Sequence, residues 1–138
     1  MIGAAFELAL AAHQGQTDKA GMAYIGHVAR VAAGVETDDE RVVALLHDVV
    51  EDCDVPLSDI EAKFGAEIAA GVDAMTKREG EASDAYYARV RSNPLALRVK
   101  LSDIADNSSP DRMKLLDEAT RGRLTKKYSI ALAALGAK

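Results

Sequence analysis

The stretch ERVVALLHDVVED (residues 40–52) decides the reading of this chain. Val42, Val43, Leu45, Leu46, Val49 and Val50 recur at the spacing of a buried helix face. Yet His47, Asp48, Glu51 and Asp52 stand among them, and charged groups resist burial unless something answers their charge. Thr37 and Glu40 form a capping-box pattern that starts this helix. Read as one uninterrupted helix, it carries Glu51 one turn beyond His47 and Asp52 one turn beyond Asp48. Such a two-by-two patch suits a divalent cation, with His47 and Asp48 as ligands and the later pair managing water; the alternative is a hydrogen-bonded surface pair beside a solvated helix end.

Working outward, further start and stop signals divide the chain into short helices, and no segment alternates as a strand would. A first helix covers about 2–14. YIGHVARVAAGV (24–35) places Ile25, Val28, Ala29, Ala32 and Ala33 on one face, and Ser58 with Glu61 repeats the capping pattern for LSDIEAKFG. A helix follows over about 66–77, then the charged loop KREGEAS. Asn93-Pro94 and Ser109-Pro110 each place a polar cap before a proline at the first helical position, and a last helix runs from about Thr120 to the end. The expectation is one all-α domain over residues 1–138, a compact bundle of about seven to nine short helices.

The chain's 138 residues fit a single core without staples, and the lone Cys53 forbids an internal disulfide, which points to a reducing, cytoplasmic setting. Glu7 interrupts the apolar N-terminal run, no stretch approaches membrane-spanning length, and a net charge of −5 argues against a general nucleic-acid surface. Asp52 beside Cys53 makes that thiol a poor nucleophile.

Two distant segments bear on the central patch. His27 lies on an apolar helix, where it serves either as a satisfied core histidine or as a ligand. LRVKLSDIADNSSPDR (97–112) places Lys100, Asp103 and Asn107 on one face among Leu97, Val99 and Leu101, so Asp103 needs a partner. A metal shared by His27, His47, Asp48 and Asp103 supplies one, and this mixed nitrogen and oxygen set suits Mn, Fe, Zn or Co better than Ca or Mg.

YIGHVARVA (24–32), ALLHDVVEDC (44–53), FGAEIAAGVDAMTK (64–77) and VKLSDIADN (99–107), in this order, resemble the HD-domain metal-dependent phosphohydrolases, and more narrowly the hydrolase half of the RelA/SpoT alarmone enzymes and their stand-alone relatives. The resemblance implies a compact HD-domain bundle that hydrolyses the 3′-pyrophosphate of ppGpp or pppGpp. It implies a divalent metal, usually Mn, held by His27, His47, Asp48 and Asp103, with Glu51 and Asp52 orienting and deprotonating water. Lys19 then meets phosphate and Asn107 the sugar; apart from the resemblance, Lys100 on the face of Asp103 is a further substrate-binding candidate, and Tyr128 either stacks on a base or packs in the core. Alternatives are the same chemistry on an adenosine alarmone or a nucleoside monophosphate, or a silent nucleotide-binding module. No nucleic-acid or membrane partner is expected, and self-association stays open. His13, Tyr86, Tyr87 and Arg89 read as structural. The chain departs from the family at DKAGMAYI (18–25), where the family reads RKSGEPYI. Asp18 thus replaces an arginine, and at the mouth of a phosphate site it is expected to repel an anionic substrate.

Overall fold

The computed structural model describes residues 1–136. They form ten helical segments: α1 (Ile2–Ala12), α2 (Tyr24–Ala33), α3 (Asp38–Leu46), α4 (Val49–Asp52), α5 (Leu57–Phe64), α6 (Ala66–Met75), α7 (Ser83–Ser92), α8 (Pro94–Asn107), α9 (Pro110–Met113) and α10 (Glu118–Ala134). There is no strand among the described residues, only an isolated bridge between Thr17 and Ala23 that closes the loop after α1. The fold is all-α, as the sequence implied. No described helix is long and apolar enough to cross a membrane.

Helix α3 is the axis of the bundle. Its Val42, Val43, Ala44, Leu45 and Leu46 are all buried, and it packs against α1, α2, α6 and α8. A helix apolar on nearly every side must be enclosed on nearly every side. Helix α8 packs on α2, α3, α6 and α7, so the central face of the molecule is the junction of α2, α3 and α8. That junction is tightened where Ser102 Oγ donates to the Val31 carbonyl at 2.8 Å. Gly71 on α6 allows α3 and α8 to close in, since a Cβ there would lie 3.1 Å from a Val43 methyl and 3.4 Å from Leu95 Cβ.

Several local readings hold and several need correction. Asn93 caps α8 through its side chain to Ala96 N at 3.0 Å, with Pro94 first in the helix. Thr37 caps α3 at Glu40 N, while the Glu40 carboxylate turns to Glu36 N, so the capping box is only half formed. Ser58 caps nothing: the backbone is already helical at Leu57, which leaves Ser58 inside the first turn. Ser109-Pro110 opens only the single turn α9, and the last helix is started by Asp117, whose carboxylate accepts from Thr120 N at 2.7 Å. The buried face of α2 is His27, Val28, Val31 and Ala32, with Ala29 and Ala33 exposed. Small alanines could not outweigh Val31 and the need of His27 to face inward.

The predicted single helix over 40–52 is broken at His47–Asp48, giving α3 and α4. The His47 Nδ1 proton is donated to the Ala44 carbonyl, 2.5 Å away and one turn back, which competes with the helical ladder at that point. Asp48 takes φ −104° and ψ −6°, and α4 restarts with Asp52 N bonding Asp48 O at 2.9 Å.

Leu46 is fully buried on this axis. Leu46→Ala is expected to cost roughly 2–5 kcal/mol of stability through lost transfer energy and a cavity. Chemical denaturation monitored by circular dichroism would measure it, and a loss under 1 kcal/mol would contradict the packing described.

Candidate metal centre and active site

The break between α3 and α4 brings His47 and Asp48 together. Adjacent residues on an unbroken helix point about 100° apart. Here Asp48 Oδ2 lies 3.0 Å from His47 Nε2. The two-by-two patch read from helical spacing is formed in part: Asp52 stays one turn beyond Asp48, with Asp52 N bonded to Asp48 O at 2.9 Å, and Asp48, Glu51 and Asp52 make an acidic group beside that of His27, His47 and Asp103.

His27, His47 and Asp103, from α2, the end of α3 and α8, are all buried, with ligand atoms within 4.8 Å of one another. His27 Nε2 is 2.8 Å from Asp103 Oδ1, and His47 Nε2 is 3.7 Å from the same oxygen. Each imidazole is fixed from behind through Nδ1. His47 donates to Ala44 O, and His27 donates to Asp106 Oδ2 at 2.6 Å. Both Nε2 atoms consequently face carboxylate oxygens, which can only accept. His47 Nε2 is buried with no hydrogen-bond partner.

Such an arrangement calls for a cation between rings and carboxylates, which a proton or a divalent metal can provide. Burial opposes charge on His47, yet Asp48 and Asp103 beside it raise its pKa well above the ordinary histidine value. Burial likewise would raise Asp48, but His47 and the Tyr24 hydroxyl hold it down at about 2. Asp103 lies well below the usual carboxylate range despite its burial, held by His27, His47 and Lys100. These residues fit a divalent metal: two back-anchored imidazoles, one shared buried carboxylate and Asp48 alongside.

A cleft of about 400 Å³ opens over this group. It is lined by Asp48, Glu51, Asp52 and Asp103, by Lys19, Lys77, Lys100, Lys127 and Arg112, and by Asn107 and Tyr128. Lys100 Nζ is 3.2 Å from Asp103 Oδ2, and the Asn107 amide donates to Asp103 Oδ1 at 3.3 Å. Glu51 Oε1 accepts from Lys77 N at 2.7 Å, which ties the loop after α6 to α4. Asp52 makes no such bond, and partial burial with the charges of Asp48 and Glu51 raises its pKa. Burial and the neighbouring Lys77, Lys19 and Lys100 push the Lys127 ammonium down.

Asp18 corrects the sequence expectation. Its carboxylate is only 4% exposed. Oδ1 accepts from the backbone amides of Ala20 at 2.9 Å and Met22 at 3.0 Å, and Oδ2 from Arg112 Nη1 at 2.8 Å. Its charge is paired in place, so the predicted repulsion of an anionic substrate does not follow.

Sequence reasoning passed over Tyr24, Asp106, Arg112, Lys77 and Lys127. Asp106, three residues after Asp103 on the same helix, carried a readable signal, as did Tyr24, one turn before His27; Arg112 carried none. Tyr24 donates to Asp48 and packs against the His27 ring with centroids 5.3 Å apart. His13, Tyr86 and Arg89 are structural as expected, with His13 Nδ1 2.8 Å from Gln16 Oε1, Tyr86 donating to Met75 O at 2.8 Å, and Arg89 donating to Thr76 O at 2.8 Å. Tyr86 and Tyr87 both also line the cleft. Burial and the charge of Asp52 raise the Cys53 thiol, so it is no nucleophile.

An all-α bundle with a buried histidine and carboxylate cation site under an acidic and lysine-rich cleft defines a class of metal-dependent protein. The comparisons place the chain within it. Residues 5–93 match the model of the HD domain, and the chain belongs to that family. The matched span contains His27, His47, Asp48, Glu51 and Asp52, whereas Asp103 lies beyond it. A divalent metal site is thus common ground between the family and the geometry. The chain is 49% identical over 70 residues, 48% of its length, to a guanosine-3′,5′-bis(diphosphate) 3′-pyrophosphohydrolase of Vibrio cholerae. It is 34% identical over 115 residues, 75% of its length, to a protein of the same name from Aquifex aeolicus. It spans only 10% and 16% of those two relatives. The solved structure of a metazoan SpoT ortholog, described as hydrolysing ppGpp, superposes with a TM-score of 0.81 at 22% identity, covering 97% of this chain and 84% of that one. The likeness supports the fold.

Metal content should follow these contacts. Asp103→Ala is expected to abolish metal binding despite its distance in sequence from His47. Asp106→Asn, which loosens the back of His27 and leaves the four proposed ligands in place, should weaken affinity roughly 10–100-fold. Competitive metal titration distinguishes the two, and a tight-binding Asp103→Ala protein would refute the site.

Proposed function

We propose that the chain is a metal-dependent phosphohydrolase that releases pyrophosphate from the 3′ position of a guanosine alarmone, ppGpp or pppGpp, leaving GDP or GTP. The observation that carries this reading is the juxtaposition of a buried cation site with four lysines lining one cleft. Burial and the neighbouring lysines disfavour the charge on Lys127 until an anion enters, and a pyrophosphate-bearing nucleotide carries enough charge to answer Lys19, Lys77 and Lys127 together. The names of the Vibrio and Aquifex relatives support the guanosine bis(diphosphate) as that nucleotide.

His27, His47, Asp48 and Asp103 would hold the metal, and manganese is our choice over Fe, Zn or Co for this mixed donor set. When bound, the ion supplies Lewis acidity that polarises a phosphoryl oxygen and eases deprotonation of water near neutral pH. Asp52 accepts the proton of the attacking water. Burial and the charges of Asp48 and Glu51 raise its pKa, which makes it a stronger base than an ordinary aspartate. The water oxygen bonds to the phosphorus nearest the ribose, the bond from that phosphorus to O3′ breaks, and O3′ takes up a proton from solvent, while Asp52 later returns its own to solvent. Glu51 acts mainly through its hold on the Lys77 backbone, setting the loop that brings Lys77 to the cleft. Lys19, Lys77 and Lys127 offset the pyrophosphate charge, Lys100 steadies Asp103, and Asn107 and Tyr128 meet the nucleoside.

Incubation of the manganese-loaded protein with guanosine tetraphosphate, and in parallel with nucleoside monophosphates, should yield pyrophosphate and GDP from the former alone; phosphate from the monophosphates instead would overturn the substrate. Asp52→Asn should retain metal and lower kcat by about 10²–10⁴-fold. Because the base acts when deprotonated, the wild-type rate should fall as pH drops through the raised Asp52 pKa, and the variant should lose that limb. Concurrent loss of metal would make Asp52 a ligand instead.

A further inference from the structure

Arg112 reaches the cleft from α9, and its guanidinium edge is held by two hydrogen bonds with a carboxylate beside its Nε. Nη1 donates to Asp18 Oδ2 at 2.8 Å, Nη2 to Asn107 Oδ1 at 3.5 Å, and Nε lies 3.7 Å from Asp106 Oδ2. Asp18 is itself clamped by two backbone amides, and Asp106 by His27 and Arg30. The plane of the guanidinium is therefore set by partners that cannot readily turn.

Two consequences follow from this geometry. With two carboxylates around it, Arg112 presents little net charge to an anion, unlike the lysines of the same cleft. Its flat face is not engaged by any of these edge contacts, and the side chain remains 16% exposed. A planar guanidinium held by its edge is a stacking surface for a flat, uncharged ring. Asn107 bonds both Arg112 and Asp103, so this surface stands one amide away from the proposed metal site.

We infer that Arg112 is the platform on which the nucleobase of the substrate stacks, and that Asp18 is the positioning residue that fixes its plane. The inference rests on the nucleotide reading above and adds to it the residue that recognises the base. Aspartate at position 18 thus serves nucleotide binding through Arg112 rather than hindering it.

The test measures binding of GDP and of inorganic pyrophosphate to the manganese-loaded protein by calorimetry. Arg112→Lys keeps the charge and removes the flat face. It should weaken GDP roughly 5- to 150-fold, the range that loss of one base stack implies, with pyrophosphate affinity unchanged within about twofold. Asp18→Asn, whose side-chain oxygen still accepts from Ala20 and Met22 and so keeps the Lys19 loop, turns an amide donor toward Arg112 and should weaken GDP without weakening pyrophosphate. Circular dichroism and metal content confirm that each variant is folded and loaded. Unchanged GDP affinity in Arg112→Lys, or an equal loss of pyrophosphate, overturns the platform. A wild-type protein that binds pyrophosphate but neither GDP nor guanosine tetraphosphate overturns the nucleotide reading itself, and the two failures are thereby told apart.

Discussion

Asp103 is a carboxylate held ionised inside a helical bundle, and much of the surrounding architecture answers its charge. Removing such a group from water costs several kcal/mol unless its partners are close and well placed. Here they come from three directions: His27 from α2, His47 from the end of α3, and Lys100 and Asn107 from α8 itself. Those are the helices that meet at the centre of the fold. The ion site and the core are therefore one construction, with Val28, Val99 and Ile104 buried on the same helices that carry His27 and Asp103.

The second determinant is the interruption of α3. A histidine followed by an aspartate on a continuous helix would address different faces. The bond from His47 Nδ1 to Ala44 O both anchors the ring and disturbs the helix where Asp48 must swing back. One interaction thus orients a ligand and creates the geometry for its neighbour. It also starts a fresh turn, in which Glu51 and Asp52 sit beside the cation site without being part of it. Their separation from each other is equally tertiary: Lys77 N occupies Glu51, and Asp52 retains a perturbed, unpartnered carboxylate.

Charge in the cleft is likewise decided by pairing and not by composition. A chain of net charge −5 nonetheless lines one cleft with four lysines. Asp18 and Arg112 neutralise each other across 94 residues of sequence, so neither behaves as its position in the chain would suggest. The Asp18 carboxylate shapes the loop through Ala20 and Met22 while it orients the guanidinium, and the loop carries Lys19 into the same cleft.

How much of this was legible beforehand depends on the range of the interaction. Helix content, the Asn93-Pro94 start of α8 and the grouping of Lys100, Asp103 and Asn107 on one face are governed by contacts within a few residues, and they read directly from spacing and capping chemistry. The resemblance of four motifs brought His27, His47, Asp48 and Asp103 together before any coordinates did. What the sequence could not decide were outcomes of competition between local preference and distant partners. Helical periodicity carried α3 straight through His47, because nothing local announces that an imidazole will take the Ala44 carbonyl. Asp18 read as a repulsive charge, because its partner Arg112 is adjacent only after α9 folds back against the loop. Local hydrogen bonding and apolar periodicity are inscribed in neighbouring residues; the protonation, pairing and direction of a charged side chain are set by whichever groups the finished bundle places within a few ångströms of it.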